Sequence, residues 1–306
     1  MAVDPNLVAI EPRQLPEFIA AATDAGAQVS PLTHEVGALI WTDYHHPEQL
    51  AAHLATNPQL EWVQLPWAGV DAFANIISHP VRFTSAKGSY REPVAEHALM
   101  LCMALGRRLA ERVRAKTWGE KWAVSLYDSN VVIVGGGGIA QELLLQLQPF
   151  RASVTVVRRH PAPMSGAARV VGLDQLDEVL PAAQFVVLAC ALTDETRGLF
   201  DAKRLALLDA SAYLVNVSRG PVIDTMALIA ALNAWQLAGA GIDVTDPEPL
   251  PEGHPGWECE NLIVTPHTAD TPVQVNHFFA IRIGQNVRAY LNRGDWVGTV
   301  DPKLGY

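Results

Sequence analysis

The sequence predicts an α/β protein of two domains, each built on a parallel sheet, and three observations predict it. The chain has 306 residues, more than one small core needs, and it is 49% hydrophobic and 18% charged, the balance of a folded chain. Short apolar runs alternate with helix-like stretches along most of its length. At 131–157 a strand pattern, four consecutive glycines, a helical pattern and a second strand pattern follow one another directly, the order of a β-α-β unit.

Taken in order, the runs at 7–10, 38–41, 62–65 and 81–84 read as strands, with helical or loop-like stretches such as 13–25 and 47–57 between them. A long helical pattern follows over 93–116, opened by Pro93, which suits a first turn; its apolar face includes Val94, Ala98, Leu101, Leu105 and Leu109. The β-branched run 131–134 reads as a fully buried parallel strand. Apolar residues at 139, 143, 144 and 147 have helical spacing, and 154–157 is the second strand of the unit. Further buried strands are expected at 185–189, 213–217, 239–244 and 262–265, then a last helix over 272–292. The Pro-rich stretch 246–255 reads as a structured loop between strands, and there is no internal repeat.

The glycine loop carries the first functional signal. Gly135, Gly137 and Ala140 fit G-x-G-x-x-G/A, in which the last residue must only be small enough for helix and strand to pack closely. Gly135 makes the tight turn, Gly137 lets a pyrophosphate approach the backbone, and the unpaired N–H groups at the helix start attract an anion. This is a dinucleotide-binding signature, with Gly138 and Ile139 at the helix start among the contacts.

Composition narrows the partners. Lys and Arg number 22 against 32 Asp and Glu, a formal net charge of −10, and no basic tract exists, so nucleic acid and anionic membranes are poor partners. No apolar run approaches a membrane span, and residues 1–20 carry Pro and acids in place of a signal-peptide core. Three scattered cysteines, Cys102, Cys190 and Cys259, make neither a disulfide framework nor a zinc pattern. The expectation is a soluble cytoplasmic protein. His45 and His46 lack nearby ligands at metal spacing and read as a polar loop; no metal is expected.

Ligands of open parallel sheets sit beyond the carboxyl ends of the strands, where three polar residues stand. Arg219 follows YLVNVS, Glu248 lies in the loop after GIDV, and His267 follows IVTP. Together such groups reduce a 2-keto acid. A guanidinium holds the substrate carboxylate bidentately, and an imidazolium gives its proton to the keto oxygen as hydride reaches the carbon. A carboxylate orients the imidazole and raises its pKa. Asp246 and Glu248 compete for that last role, and spacing does not choose between them.

These residues resemble those of the D-isomer-specific 2-hydroxyacid dehydrogenases, over about 65–292. LVNVSRGPVIDTMAL resembles the segment bearing that family's catalytic Arg, AGAGIDVTDPEPL its catalytic-acid segment, and NLIVTPHTA its catalytic-His segment. PVAEHAL at 93–99 and LPWAGVDAF at 65–73 are two more landmarks. The resemblance selects Glu248 over Asp246, and DVTDPEPLPEGHP is similar to glyoxylate/hydroxypyruvate reductases. It implies two Rossmann-like or flavodoxin-like domains with the active site in the cleft between them. The substrate domain would be discontinuous, 1–92 with 271–306, and the dinucleotide domain 93–270. By position, the N–H groups of Ala68, Gly69 and Val70 would meet the substrate carboxylate beside Arg219. Tyr90 is a further substrate-side candidate, its alternative being packing at the hinge. Trp67 either narrows the pocket or is structural. Asp243 would face the nicotinamide carboxamide, and Ala189, Val217 and His267 complete the cofactor contacts. The resemblance also implies a homodimer, formed through the region of the 93–116 helix.

Two departures from the family pattern stand out. Ala189 and Cys190 replace a His found in many relatives, and Asp270 stands where a small, glycine-containing continuation is usual. Cys190 as a nucleophile is disfavoured, because its strand end is apolar and the reaction needs none. The dinucleotide is expected to be NADP(H), with NAD(H) used less well. An NAD-binding site places Asp or Glu about 20 residues past the first glycine to hold the ribose 2′-OH. Here Arg158 and Arg159 stand at the strand end, His160 follows, and the first acid is Asp174. The expected activity is reduction of a small 2-keto acid to the D-2-hydroxy acid. The alternative is a dinucleotide-sensing scaffold of the same fold; a formate-dehydrogenase-like reading fails because that branch has Gln at the position of Glu248.

Overall fold

The computed structural model describes residues 3–303 and divides the chain into two units, Met1–Tyr90 with Thr271–Tyr306, and Arg91–Asp270. In the first, five strands pair in parallel: β1 (Asp4–Glu11), β2 (Gln28–Val29), β3 (Val36–Trp41), β4 (Trp62–Gln64) and β5 (Arg82–Thr84). Their order is β2-β1-β3-β4-β5, the flavodoxin-like arrangement. β3, VGALIW, is buried throughout because both of its faces are covered. Helices α1 (Pro16–Asp24) and α2 (Pro47–Thr56) each begin on a proline, whose missing N–H costs nothing in a first turn. Trp41, Leu50, Leu54, Val63, Leu65, Phe73 and Phe83 make one continuous core. Two-residue β2 has no periodicity to read, and the sequence does not announce it.

The second unit opens with α3 (Arg91–Gly106) and α4 (Leu109–Arg114). The single helix expected over 93–116 is therefore two. The break falls where the Gly106 carbonyl accepts the Val124 N–H at 2.8 Å, an approach so close that a Cβ on Gly106 would lie 2.7 Å from the Val124 carbonyl oxygen, and where Arg108 takes a left-handed φ of 52°. Ala98, Leu101 and Leu105 are buried as the apolar face requires, whereas Leu109, beyond the break, is exposed. Six elements come next: β6 (Asn130–Val134), α5 (Gly138–Leu147), β7 (Ser153–Val157), β8 (Arg169–Val171), α6 (Leu176–Val179) and β9 (Phe185–Leu188). The unit is completed by α7 (Ala202–Leu205), β10 (Tyr213–Asn216), α8 (Thr225–Asn233), β11 (Gly239–Ile242) and β12 (Leu262–Val264).

All seven strands are parallel, in the order β12-β11-β10-β9-β6-β7-β8. Read from β6, this is the dinucleotide-binding order, with the chain reversing direction across the sheet between β6 and β9. Alternation sends Val131 and Ile133 to one face, among Leu101 and Leu105 of α3 and Leu143 and Leu147 of α5. Val132 and Val134 go to the other, among Leu176, Leu205, Leu228 and Leu232 of α6, α7 and α8. Each such fully buried aliphatic side chain contributes roughly 1.5–3 kcal/mol. α8 starts where the Asp224 carboxylate accepts the N–H of Ala227. The chain then returns to the first unit as α9 (Pro272–Tyr290), opened by a capping box between Thr271 and Gln274. There Phe279 meets Phe18 edge to face. No helix among the described residues is long and apolar enough to cross a membrane.

Candidate active site

Arg219, Glu248 and His267 follow β10, β11 and β12, so parallel pairing delivers all three to one end of the second unit's sheet. Two of these loops are pressed together. A Cβ on Gly220 would fall 1.9 Å from the carbonyl oxygen of Thr245, so only glycine lets the Arg219 backbone lie against the Glu248 loop. Asn216 fixes the turn before Arg219: its amide nitrogen donates to the Arg219 carbonyl at 3.0 Å, and its amide oxygen accepts the Ser218 N–H (3.0 Å) and hydroxyl (2.7 Å).

His267 Nδ1 and Glu248 Oε1 are 2.6 Å apart, each side chain a little under half exposed. The Glu248 contact raises the His267 pKa above its ordinary value, overcoming partial burial and the repulsion of Arg219. Reciprocally, His267 holds the Glu248 carboxyl below its usual range, and the Arg219 charge adds to that. The pair therefore favours imidazolium beside carboxylate, a poised proton donor.

His267 sits in the left-handed region at φ 51°, a conformation that persists only when its surroundings fix it. Asp243, at the end of β11, does the fixing. Its carbonyl accepts the His267 N–H at 2.8 Å; its Oδ1 accepts the N–H of Thr268 (2.9 Å) and its Oδ2 that of Ala269 (3.1 Å). Oδ1 also accepts the Thr265 hydroxyl at 2.6 Å and lies 3.3 Å from Nε2 of His97 on α3. Burial pushes the Asp243 pKa up, but these contacts outweigh it and hold the carboxyl ionised below its ordinary value. A carboxylate accepts about four hydrogen bonds, so the Asp243 carboxylate is held by its own chain mainly through Oδ1, while Oδ2 keeps acceptor capacity beyond the Ala269 N–H. His97 and Thr265 were not singled out as site residues in the sequence: 97 and 243 are far apart in the chain, and only the fold brings them together.

The glycine loop is built to receive an anion. Gly135 has φ 119°, and a Cβ there would strike the Ala189 carbonyl oxygen at 2.3 Å, which makes glycine obligatory. Gly137 caps α5, with Gly138 and Ile139 in its first turn, and a Cβ on Gly137 would point into open space. Ala140 is fully buried, as close packing of helix on sheet requires. The loop thus fits a dinucleotide pyrophosphate. Arg158 lies over it: a Cβ on Gly136 would meet the Arg158 side chain at 2.8 Å. Arg159 turns to the loop after β9, where its Nη2 is 2.8 Å from Glu195 Oε2. The Ala189 N–H extends the ladder to Val134, and Ala189 is half-buried; the Val217 side chain is buried in the core, so Val217 can face a ligand only through backbone.

Burial holds the Asp270 carboxyl above its usual range, partly offset by His267. The Cys190 thiol is pushed up to about 11 by burial, which keeps it protonated and un-nucleophilic. In the first unit, Ala68, Gly69 and Val70 follow β4, and among the described residues their three N–H groups have no hydrogen-bond partner. Tyr90 is buried with its hydroxyl donating to the Pro66 carbonyl at 2.7 Å, and Trp67 packs on its ring, so Tyr90 supports this loop from behind. His46 pairs with Asp43 at 2.7 Å.

A family model described as "D-isomer specific 2-hydroxyacid dehydrogenase, NAD binding domain" matches residues 98–269. An uncharacterized protein of Corynebacterium melassecola is 36% identical over 81% of this chain and 84% of its own. The glyoxylate/hydroxypyruvate reductase B of Escherichia fergusonii is 34% identical over 70% of this chain and 68% of its own. A crystal structure of a D-isomer-specific 2-hydroxyacid dehydrogenase of Xanthobacter autotrophicus, solved with NADPH and MES, superposes with a TM-score of 0.85 at 29% identity, covering 98% of this chain and 99% of that one. The chain belongs to the D-isomer-specific 2-hydroxyacid dehydrogenase family of oxidoreductases, with a nicotinamide-dinucleotide-binding domain carried by its second unit.

Proposed function

We propose that this chain reduces small 2-keto acids of the glyoxylate and hydroxypyruvate class to D-2-hydroxy acids, using NADPH in preference to NADH. The observation that carries the reading is the 2.6 Å His267–Glu248 pair, with the charge of Arg219 at the same strand ends. Arg219 binds the substrate carboxylate through its forked donors. His267, with Nδ1 held by Glu248, delivers the proton from Nε2 to the keto oxygen, and Glu248 keeps the ring oriented and charged. The bound nicotinamide supplies the hydride. The N–H groups of Ala68, Gly69 and Val70 are assigned to the substrate carboxylate, which their lack of partners supports. Arg158 over Gly136, and the absence of an acid at the ribose position, support NADPH. So does the NADPH bound to the Xanthobacter relative, and the Escherichia relative's name supports the substrate class.

The test is a spectrophotometric screen of glyoxylate, hydroxypyruvate, pyruvate and bulkier keto acids with both nicotinamides. Turnover of the smaller acids is expected. A protein that binds either dinucleotide but turns over none of the acids would instead be a sensing scaffold.

Replacing Glu248 by Gln keeps the shape and removes the charge. The His267 pKa then falls, so the protonated form is lost at lower pH. The alkaline limb of the kcat/KM profile for reduction is expected to move to lower pH. An unmoved limb would separate Glu248 from the proton donor.

The chain is also proposed to form a homodimer. Met100, Met103, Leu109, Val113, Trp118 and Trp122 are all exposed along and just after α3 and α4, a concentration that a second copy would cover. Sedimentation at micromolar concentration is expected to give twice the chain mass of 33.1 kDa; a monomer would contradict this.

A further inference from the structure

The arginine at the end of the ribose-reading segment is not presented to solvent alone. Arg159 follows β7 by two residues, and both its Nε (2.9 Å) and its Nη2 (2.8 Å) reach one oxygen, Oε2, of Glu195. Glu195 stands in the loop after β9, 36 residues on, so the contact joins two segments that flank β6, one on each side in the sheet. The Arg159 side chain is about a quarter exposed and that of Glu195 more than half. The two line a shallow depression together with Leu173, Asp174, Leu199 and Arg204. Arg204 is itself held by Asp177 at 2.7 Å. Two guanidiniums are thus offset by three carboxylates, and the depression is not the cationic pocket that two neighbouring arginines promise in the sequence.

A 2′-phosphate requires forked donors that are not already engaged. Among the described residues no carboxylate pairs with Arg158, which lies over Gly136, whereas Arg159 spends two donors on Glu195. We infer that Glu195 is a specificity-determining residue for the dinucleotide: by holding Arg159 it withholds that guanidinium from the 2′-phosphate and limits the preference for NADP(H). A phosphate recruiting Arg159 must displace Glu195 and tolerate its charge nearby. NAD(H), lacking the phosphate, meets neither cost. The inference rests on the proposed use of NADPH read from Arg158 and Arg159.

The test is calorimetric titration of NADP⁺ and NAD⁺ into wild type, Glu195→Gln, Glu195→Ala, Arg159→Ala, the double variant Glu195→Gln/Arg159→Ala, and Arg158→Ala. Glu195→Gln and Glu195→Ala are expected to tighten NADP⁺ binding by about 3- to 10-fold, the scale of one half-exposed charge contact, and to leave NAD⁺ within about twofold. The gain is expected to vanish in the double variant, because it acts through Arg159. Unchanged or weaker NADP⁺ binding in both Glu195 variants, an equal gain for NAD⁺, or a gain that survives loss of Arg159 would overturn the inference. Arg158→Ala reads the cofactor reading separately. If it leaves NADP⁺ binding intact and wild type shows no NADP⁺ preference, that reading fails, while the response to Glu195→Gln still decides the role of Glu195.

Discussion

His267→Ala is expected to lower kcat/KM for keto-acid reduction by on the order of 10²- to 10⁴-fold, the contribution of a positioned general acid. The imidazole is the group whose pKa the Glu248 contact raises, which favours its protonated form. On the proposed reading, removing it takes away the proton donor to the keto oxygen. Dinucleotide affinity is expected to hold, because the Gly135–Ala140 turn and Arg158 do not depend on the imidazole ring. Arg219→Ala is expected to cost on the order of 10²-fold or more, expressed mainly in KM, since a substrate carboxylate would lose its charged partner. Steady-state kinetics with glyoxylate, alongside calorimetric cofactor binding, measure both. A His267→Ala protein that reduces keto acids at near-wild-type rate would remove His267 from the mechanism.

Gly220→Ala is expected to do comparable damage without touching any reacting group. Its new methyl would lie 1.9 Å from the Thr245 carbonyl oxygen and 2.1 Å from the carbonyl carbon, which no side-chain rotation relieves. The 219–222 segment must retreat from the loop that bears Glu248, carrying Arg219 with it. A shift of about 1 Å in a positioned group costs on the order of 10²-fold in rate, and overpacking of this kind destabilises by roughly 1–3 kcal/mol. Activity is expected to fall by about that factor, with a modestly lowered melting temperature and an unchanged sheet signature in circular dichroism. Wild-type kinetics in this variant would mean that the two loops need not be pressed together for Arg219 to act.

Much of this could be read from the residues. Parallel strands buried on both faces leave β-branched runs such as VVIV and FVVL, which are legible in isolation. The glycine spacing at 135–140 is local, and the structure gives each position a physical reason: Gly135 a left-handed turn against Ala189, Gly137 an open approach, Ala140 a tight pack. The placement of Arg219, Glu248 and His267 at strand ends followed from the strands themselves. What could not be read was contact across distance. The resemblance implies a cofactor contact for Asp243, but not that Thr265, Thr268, Ala269 and His97 also hold its carboxylate. The sequence offers Arg159 as a phosphate reader but does not show its contact with Glu195, 36 residues away. The helix over 93–116 looked continuous because its break depends on how closely Val124 approaches Gly106. In each case a residue's neighbours in space, not in the chain, decide what it is able to bind.

Single-turnover reduction of glyoxylate tests the central claim most directly, with NADPH pre-bound and its absorbance followed in wild type and in His267→Ala at matched occupancy. Wild type is expected to consume the bound NADPH in one fast phase that slows above the raised pKa of His267, and the variant to bind NADPH equally but consume it on the order of 10²-fold more slowly or worse, without that pH dependence. A wild-type protein that leaves its NADPH intact in the presence of glyoxylate and hydroxypyruvate, or a variant as fast as wild type, would contradict it.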